Sequence, residues 1–294
     1  MPAMPPSLDE YSLDSRAVRR AFDRASSSFA DCSQVHAEIR SRLLERLDVV
    51  RLAPRVVLDL GAAHGAGARA LSARYRSAHV IAIDLSHSML RLAARQQGLL
   101  RRFARVNADA QRLPLAAGAA DLLFSNLMLQ WCADPDAVLR EMHRVLRTGA
   151  LLVFTTLGPD TLQELRHAWA VDGHVHVHRF IDMHDLGDAL LRAGFAEPVM
   201  ETERLTVTYP DLAKLERELK GSGSANLAQG RRHGLAGRQL RRTAHERYEA
   251  LRRSSLLPAS LEVIYGHAWV GSARLTRSAG EVHVSLETLR RSLK

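Results

Sequence analysis

The sequence predicts an α/β fold with a mostly parallel sheet, and three observations support this prediction. Through the first half of the chain, short apolar runs alternate with segments of helical pattern. The first two apolar runs each end in an acid, Asp59 and Asp84. A turn of small residues, 61–67, joins the first run to a helical segment. Alternating strands and helices are typical of a parallel sheet covered on both faces, and a strand, a glycine turn and a helix in succession present a nucleotide-like ligand.

The composition favours a globular protein of the cytoplasm. The chain has 294 residues, of which 46% are hydrophobic, enough for a sizeable core. No apolar run approaches the ~20 residues that cross a membrane, and the N-terminal segment lacks the apolar core of a secretory signal. The two cysteines, Cys32 and Cys132, do not make a disulfide framework. We therefore expect a reducing, cytoplasmic location and no membrane partner.

The charge of the chain favours an anionic partner. The 41 basic and 32 acidic residues give a formal net charge of +9. Such an excess is typical of proteins that meet nucleic acid, an acidic membrane or an acidic protein. Because no recognised nucleic-acid motif accompanies the charge, we expect no nucleic-acid partner.

The chain divides into three predicted parts. Residues 1–51 form an N-terminal tail and a helical cap, residues 52–272 form the main domain, and residues 273–294 form a second tail. Insertions near 158–190 and 210–260 interrupt the main domain and are expected to form a lid over the site.

The predicted cap carries one apolar stripe at helical spacing, made by Val35, Ile39, Leu43 and Leu47. The same pattern predicts that three basic residues face away from the core: Arg40, Arg42 and Arg46.

Strands and helices alternate along the main domain. Strands are predicted at 55–60, 79–85, 103–109, 121–132, 150–157, 199–209 and 261–271. Helices are predicted at 68–75, 88–96, 135–149, 158–170, 183–194, 211–220 and 231–254. Gly149 is expected to stop the third of these helices. The last two strands fit an antiparallel edge that closes an otherwise parallel sheet.

Three acids follow successive strands of the predicted sheet. Asp84 lies 25 residues after Asp59, and an acid at that place can accept hydrogen bonds from both ribose hydroxyls of an adenosine ligand. Asp109, after the third strand, can accept from an adenine amino group. The carboxyl ends of parallel strands are where open α/β sheets bind ligands, so the three acids together favour an adenosyl ligand.

The turn itself excludes two common nucleotide loops. It contains no Lys-Ser or Lys-Thr pair for a triphosphate, and Gly61, Gly65 and Gly67 do not have the Gly-x-Gly-x-x-Gly spacing of dinucleotide sites. The pattern Asp59-x-Gly61-x-Ala63-x-Gly65 resembles the acid-x-Gly-x-Gly-x-Gly turn of class I S-adenosylmethionine-dependent methyltransferases. Alanine replaces the middle glycine, which is tolerable if its φ is negative.

This resemblance implies a Rossmann-like class I methyltransferase fold: a seven-strand, mostly parallel sheet with an N-terminal helical cap and lid insertions. It also implies S-adenosylmethionine as the cofactor. The expected cofactor-binding residues are Asp59, Gly61, Ala62, Ala63, Gly65, Asp84, Leu85, Met89, Asp109, Ala110 and Asn126.

A narrower resemblance runs through five segments: 22–29, 125–132, 154–169, 176–180 and 219–227. They are similar to the malonyl-acyl-carrier-protein O-methyltransferases of biotin synthesis. The resemblance implies methyl transfer from S-adenosylmethionine to the free carboxylate of malonyl-acyl carrier protein or of its coenzyme A thioester. Several of these segments are shared with a mitochondrial complex I assembly factor, a methyltransferase-fold protein proposed to hydroxylate an arginine.

The implied reaction requires no catalytic acid or base, because a malonyl carboxylate is already ionised at pH 7. It requires a donor or cation that holds the carboxylate in line with the methyl group. The substrate-binding candidates are Arg24, Phe29, Gln130, Trp131, His178, Arg179 and Lys220. A basic stretch is expected either to face the acidic carrier protein or to form a solvated helix face: Arg231, Arg232, Arg238, Arg241 and Arg242.

Other chemistry has weaker support. His174, His176 and His178 alternate, but no cysteine or acid cluster lies near them in sequence, so no metal site is predicted. Cys132 follows Trp131 without an evident paired base, which favours a buried small residue over a nucleophile.

Two alternatives to this function stay open at the sequence level. The first is methylation or hydroxylation of another substrate on the same scaffold. The second is a binding or assembly protein without catalysis, which two departures from the family pattern suggest: Ala63 in the glycine turn, and Phe29 where relatives often carry a tyrosine.

Overall fold

A computed structural model describes residues 13–97, 103–171, 174–232, 234 and 236–271. Within these residues the chain forms one seven-stranded sheet. Its strands are β1 (Val56–Leu60), β2 (His79–Asp84), β3 (Ala104–Asn107), β4 (Ala120–Asn126), β5 (Leu146–Leu157), β6 (Phe195–Tyr209) and β7 (Leu257–Val270). The predicted tail 273–294 and most of the N-terminal tail lie outside the described residues.

Ten α-helices connect or cover the strands of the described chain. They are α1 (Ser15–Ala25), α2 (Phe29–Cys32), α3 (Gln34–Glu45), α4 (Ala66–Arg74), α5 (His87–Gln96), α6 (Pro135–Val145), α7 (Gln163–Trp169), α8 (Met183–Arg192), α9 (Leu212–Gly221) and α10 (Arg238–Glu249). A 3₁₀ turn follows β4 at Leu129–Trp131. None of the described helices is long and apolar enough to cross a lipid bilayer.

The strand order is β3-β2-β1-β4-β5-β7-β6, and β1 to β5 pair in parallel. This confirms the predicted α/β fold with a seven-strand, mostly parallel sheet. The last two strands form the expected antiparallel edge of the sheet. β7 runs antiparallel to both neighbours and lies between β5 and β6, so β6 is the edge strand. β7 carries apolar side chains on both faces, whereas every second residue in much of β6 is exposed.

Each face of the sheet has its own hydrophobic core, because successive side chains of a strand point to opposite faces. One core joins Leu58, Leu123 and Leu152 with α6 and α8. The other joins Val57 and Phe124 with α3, α4 and α5. A smaller cluster packs α7, α9 and α10 against the Tyr209 end of β6 and the Leu257 end of β7.

The apolar stripe of the cap packs as predicted, since Ile39, Leu43 and Leu47 are buried in the second core. The basic residues beside it do not simply face away. Arg42 forms an ion pair with Glu203, and Arg46 pairs with Glu201 and lies 3.7 Å from the ring centre of Tyr265. Helix α3 packs against β4 and β5, and the side chains of these two arginines reach β6 and β7. Arg40 lies on the wall of a cavity described below.

The helix predicted to reach Gly149 ends at Val145, which is a further correction. Leu146 already belongs to β5 and pairs with Ala120 of β4. Gly149 has φ +78° and lies within β5, near an irregularity in the β4–β5 register. The left-handed glycine therefore shapes the start of a strand rather than the end of a helix.

Candidate active site

A cavity opens at the carboxyl ends of the parallel strands, and we call it the first cavity. The β1 end, the 61–67 turn, the β2 end, the segment 108–111 and the β4 end contribute to its wall. Helices α1 and α3 of the cap close it from above. Of the expected cofactor residues, nine line this cavity: Asp59, Gly61, Ala62, Ala63, Asp84, Leu85, Asp109, Ala110 and Asn126.

The turn after β1 holds its shape through backbone hydrogen bonds and tight packing. The N–H groups of Gly61 and Ala62 donate to the Ile83 carbonyl at 2.8 and 3.1 Å. Gly61 has φ +77°, and a Cβ there would lie 2.5 Å from Met128 Cβ. A Cβ on Gly67 would lie 2.7 Å from Asp59 Oδ2. These glycines let the turn approach both β4 and the acid that ends β1.

Ala63 has φ +44°, so the condition under which alanine would be tolerated here, a negative φ, is not met. Its N–H donates to Asp84 Oδ2 at 2.8 Å. This hydrogen bond to an acid on the next strand holds the alanine in the left-handed region, where a non-glycine residue is strained by roughly 1–2 kcal/mol. The turn therefore keeps the geometry of a glycine turn without its middle glycine.

Asp59 and Asp84 are both deeply set at the bottom of the first cavity. Burial raises the pKa of Asp59 to about 7, against the opposing influence of the Ala68 N–H and the Arg40 charge. Burial likewise raises the pKa of Asp84 to about 6, opposed by hydrogen bonds from the Ser86 and Ala63 N–H groups. Each Asp84 oxygen accepts one backbone hydrogen bond and can accept another, and the side chain lines the first cavity.

Other residues of the first cavity are held by their neighbours. Asp109 Oδ1 accepts from the Gln111 N–H at 2.9 Å. Asn126 Oδ1 accepts from Thr155 Oγ1, and its amide nitrogen donates to the His36 carbonyl at 3.2 Å. The second of these bonds ties the cap to the sheet at the cavity wall.

Two expected cofactor residues lie behind the wall instead of on it. Met89 is fully buried in a cluster with Phe29 and Ala25, which packs against Ala63. Gly65 has φ +76° and begins α4, and a Cβ there would lie 2.8 Å from Phe103 Cζ. Both residues support the turn from below.

The cap contributes two residues to this wall that sequence patterns did not single out as site residues, His36 and Arg40. Helix α2 brings Phe29 beside them. The rings of His36 and His64 lie 5.5 and 5.2 Å from the Phe29 ring. Burial, together with nearby arginine charge, lowers the pKa of both imidazoles to about 4. Both are therefore neutral at pH 7. No sequence signal marks His36, because its place in the wall depends on how α3 packs against the sheet, whereas His64 belongs to the 61–67 turn.

A second cavity of about 840 Å³ lies between the cap, α9 and the segment that follows α7. Its wall is largely apolar, with Val35, Leu165, Val177 and Leu215 among its members. The two cavities share three wall residues: His36, Leu127 and Trp131. They therefore meet at this point, above the end of β4.

The substrate-binding candidates fall around the second cavity, with two exceptions. Trp131 lies at the junction, and its ring contacts Phe22 at 5.4 Å and His178 at 4.9 Å between ring centres. Gln130 is buried; its amide donates to the Leu127 carbonyl at 2.8 Å and accepts from Thr156. Phe29 lines the first cavity only.

His178 lies inside the second cavity, and Arg179 does not. His178 is 4% exposed, its Nε2 atom has no hydrogen-bond partner, and burial lowers its pKa to about 4. Arg179 is exposed and lines neither cavity. In the 176–180 segment, Val177, His178 and Phe180 are buried, which turns Arg179 outward.

The remaining basic candidates lie at the rim or on the surface. Arg24 and Lys220 are exposed and border the second cavity, at the C-terminal ends of α1 and α9. In the basic stretch, Arg241 pairs with Glu216 and Arg242 pairs with Glu246. Those two charges are already compensated within the protein.

The histidine repeat and Cys132 show no arrangement for other chemistry. His176 stacks on Trp169 at 4.9 Å, away from the junction that His178 approaches. Over the described ranges, no group of three or more metal-binding side chains occurs. Burial raises the pKa of the Cys132 thiol to about 12, and its sulfur lies 3.3 Å from the Met128 sulfur. A thiol with so high a pKa is a weak nucleophile at pH 7.

Comparison with known proteins identifies the family. A methyltransferase domain model matches residues 58–154. A protein of Methylovorus sp. (strain MP688) is 49% identical over 282 residues, which cover 93% of this chain and 95% of that protein. One of Laribacter hongkongensis (strain HLHK9) is 49% identical over 278 residues, covering 92% and 94%. Both are named malonyl-acyl-carrier-protein O-methyltransferase. The chain belongs to this family.

Solved structures agree on the fold of this family member. The YcgJ protein of Bacillus has a TM-score of 0.59 at 15% identity and covers 79% of this chain and 99% of that one. Phosphoethanolamine N-methyltransferase 2 of Haemonchus contortus, solved with S-adenosylhomocysteine, has a TM-score of 0.55 at 17% identity. It covers 87% of this chain and 60% of that one. The family resemblance predicted from the sequence is confirmed, and with it S-adenosylmethionine as the cofactor.

Proposed function

We propose that the protein transfers a methyl group from S-adenosylmethionine to the free carboxylate of a malonyl thioester carried by acyl carrier protein, an early step of biotin synthesis. Family membership supports the reaction class. The observation that carries the proposal in this chain is the junction of the two cavities at His36, Leu127 and Trp131. A cofactor in one cavity and an acyl arm in the other would meet there.

The first cavity fits an adenosyl cofactor. Asp84 offers a free lone pair on each oxygen at the place where ribose hydroxyls are expected, and Asp109 lies beside it. Gly61 lets the turn pack against Met128, since a Cβ there would lie 2.5 Å from Met128 Cβ. When bound, S-adenosylmethionine supplies an electrophilic methyl group on a positively charged sulfur. The residues of the chain bind and orient it.

The second cavity fits a long thioester arm that ends in a carboxylate. Its wall is mostly apolar, and Trp131 closes its inner end. Inside it, His178 presents an unpartnered ring nitrogen from a buried position. We propose that His178 donates a hydrogen bond to the malonyl carboxylate. Gln130 is a weaker candidate, because its amide already bonds Leu127 and Thr156.

No residue needs to remove a proton in this reaction. The malonyl carboxylate is ionised at pH 7, and its oxygen is the nucleophile. A neutral imidazole holds the carboxylate without giving up a full proton to it, so the nucleophile is preserved. Apolar walls around the junction exclude water, and positioning of this kind is worth roughly 7–11 kcal/mol at best.

The rim of the second cavity supports a carrier-bound substrate. Arg24, Arg217 and Lys220 are exposed there, and none has an ion pair among the residues that the structure describes. Unpaired cations at the mouth suit an acidic carrier surface or the phosphate of its prosthetic arm. We propose an acidic acyl carrier protein as the partner, with neither nucleic acid nor membrane involved.

We also propose that the cap 1–51 and the insertions near 158–190 and 210–260 act together as the acceptor lid over a main domain at 52–272. Within the described chain, Ser28 Oγ of the cap donates to the Gly221 carbonyl at the end of α9, which joins the two lid parts beside the second cavity. The free cysteines suit a cytoplasmic location.

The test is reconstitution with the purified protein, S-adenosylmethionine and malonyl-acyl carrier protein, with malonyl-coenzyme A as a second substrate. We expect a malonyl methyl ester by mass spectrometry, and rescue of a biotin-requiring bacterium that lacks this step. A protein that binds the cofactor yet forms no ester on either substrate and gives no rescue would contradict the proposal.

A further inference from the structure

Asp23, near the end of α1, links the cap to helix α5 of the main domain. Its Oδ1 atom accepts hydrogen bonds from Ser86 Oγ at 2.7 Å and from the Ser88 N–H at 3.2 Å. Ser86 is buried and caps α5, where its Oγ also accepts from the Met89 N–H at 3.1 Å. No other side chain of α1 forms a hydrogen bond with a described residue outside the cap.

Ser86 connects Asp23 to the acid that ends β2. The Ser86 N–H donates to Asp84 Oδ1 at 2.7 Å, and Asp84 Oδ2 accepts from the Ala63 N–H at 2.8 Å. Burial raises the pKa of Asp84, and the negative charge of Asp23 acts in the same direction. One serine therefore bridges a carboxylate of the cap and a carboxylate of the first cavity. The hydrogen bond that orients Asp84 depends on where Asp23 holds that serine.

Asp23 itself lines neither cavity, although its neighbours on α1 do. Val18 and Phe22 belong to the wall of the first cavity. Ala21 and Ala25 belong to the wall of the second. Because one helix forms part of both walls, a displacement of α1 changes both cavities at once.

We propose that Asp23 is a positioning residue that holds α1 on the N-terminus of α5 and thereby orients Asp84 toward the ribose of S-adenosylmethionine. This inference rests on the cofactor of the proposed function. A carboxylate suits this place, because hydrogen bonds to an ionised acceptor are roughly twice as strong as neutral ones and a helix N-terminus favours negative charge. The same link keeps the cofactor enclosed while the acyl arm enters the second cavity.

The first test removes the Asp23 carboxylate and measures cofactor affinity. By titration calorimetry, we expect Asp23→Ala to weaken S-adenosylhomocysteine binding by about tenfold, because both hydrogen bonds are lost. Asp23→Asn should keep most of the affinity, since its amide oxygen can still accept from Ser86 and Ser88.

Steady-state kinetics distinguish positioning from a structural role. Asp23→Ala should raise the KM for S-adenosylmethionine about tenfold and leave kcat within about threefold, because no group that touches the reacting atoms is lost. If Asp23 only stabilised the fold, the variant would lose folded protein. The apparent kcat would then fall while the KM stayed unchanged.

A double substitution tests whether Asp23 acts through Asp84. Asp84→Asn should itself weaken S-adenosylhomocysteine binding. Adding Asp23→Ala to that variant should weaken binding less than about threefold further, because the group that Asp23 orients has already been changed.

Asp14→Ala is the matched control, because Asp14 supports the opposite end of the same helix. Its Oδ1 atom accepts from the Arg16 and Ala17 N–H groups at 3.0 Å. Among the described residues, its side chain forms no hydrogen bond with α5. Asp14→Ala therefore loosens α1 without touching the link to Ser86, and it should leave S-adenosylhomocysteine binding within about twofold.

Three results would overturn the inference. One is unchanged S-adenosylhomocysteine binding in Asp23→Ala. Another is an equal loss in Asp14→Ala, because any loosening of α1 would then suffice. The third is full additivity of Asp23→Ala and Asp84→Asn. Failure of the unsubstituted protein to bind S-adenosylhomocysteine would instead contradict the cofactor of the proposed function.

Discussion

At the scale of single residues, the glycine turn shows how a departure from a sequence pattern is accommodated. Ala63 stands between two left-handed glycines and itself has φ +44°. The hydrogen bond from its N–H to Asp84 stabilises that conformation at 2.8 Å. The structure therefore retains the turn, and the alanine carries strain that a glycine would not.

Ala63→Gly should stabilise the protein. Removing the Cβ relieves roughly 1–2 kcal/mol of strain in the folded state. Glycine also increases the conformational entropy of the unfolded chain, which offsets about half of that gain. We expect a net gain of about 0.5–1 kcal/mol in the free energy of unfolding, measured by urea denaturation. Ala62→Gly is the control, because Ala62 has no positive φ, and it should be destabilising. Equal effects of the two substitutions would contradict the strain at Ala63.

His178 provides a second prediction at this scale, through pH. Its pKa falls from an ordinary 6.5 to about 4 in the folded protein. Below pH 6.5 the unfolded chain therefore binds more protons at this histidine than the folded protein does. The free energy of unfolding consequently decreases as the pH falls from about 6.5 towards 4, and at pH 7 this loss is absent.

Between pH 7 and pH 5, His178→Gln should lose about 2 kcal/mol less stability than the unsubstituted protein. The control is His79→Gln, because His79 is exposed at the start of β2. Urea denaturation at the two pH values measures the difference. If His178→Gln and His79→Gln respond alike to pH, the His178 ring is not held neutral by burial.

At the scale of elements, the order of the last two strands matters most. β7 lies between β5 and β6 and pairs with both through long registers. Gly266 stands opposite Phe154 in that pairing, and a Cβ there would overlap the Phe154 ring. Absence of a side chain at this position thus lets an aromatic residue fill the space beside β7.

Gly266→Ala should lower the free energy of unfolding by about 1–3 kcal/mol through overpacking. In a Phe154→Leu background the same substitution should cost less, because the ring that it meets is gone. Gly237→Ala is the control, since nothing lies within 4 Å of a Cβ there. A Gly266→Ala penalty that Phe154→Leu does not reduce would contradict the proposed contact.

At the scale of the whole molecule, the basic residues at the rim of the second cavity differ from many other surface arginines in their pairing. Many surface arginines pair with acids, as Arg192 does with Asp136 and Arg74 with Asp48. The cations at the rim of the second cavity, Arg24 and Lys220, have no such partners in the described part of the chain. An exposed charge of this kind acts on association with a partner more than on folding.

Reversing this rim charge should lower activity on a carrier-bound substrate but not on a substrate without the carrier. We expect Arg24→Glu with Lys220→Glu to lower kcat/KM for malonyl-acyl carrier protein by about tenfold or more, with a smaller loss at high salt. Turnover of malonyl-pantetheine, which has neither carrier nor phosphate, should change little. Arg91→Glu is the control, because Arg91 is exposed on α5 and borders neither cavity. Equal losses on both substrates would contradict carrier recognition at the rim.

The sequence by itself determined the local features of this protein. Strand ends, caps and turns depend on neighbouring residues, so Asp59, Asp84 and Asp109 were predicted at the edge where the first cavity lies. The family could also be predicted, because its motifs are contiguous segments. The parallel core of the sheet followed from the alternation of strands and helices.

Only the tertiary structure decided which distant residues meet. Arg40 was expected to face away from the core, but the packing of α3 places it on the same cavity wall as Asp59. Arg179 points outward because its neighbours in the chain are buried. The sign of φ at Ala63 depended on Asp84, a residue of another strand. The position of β7 depended on burial of both its faces. Each of these outcomes arises from contacts between segments far apart in sequence, which no local pattern encodes.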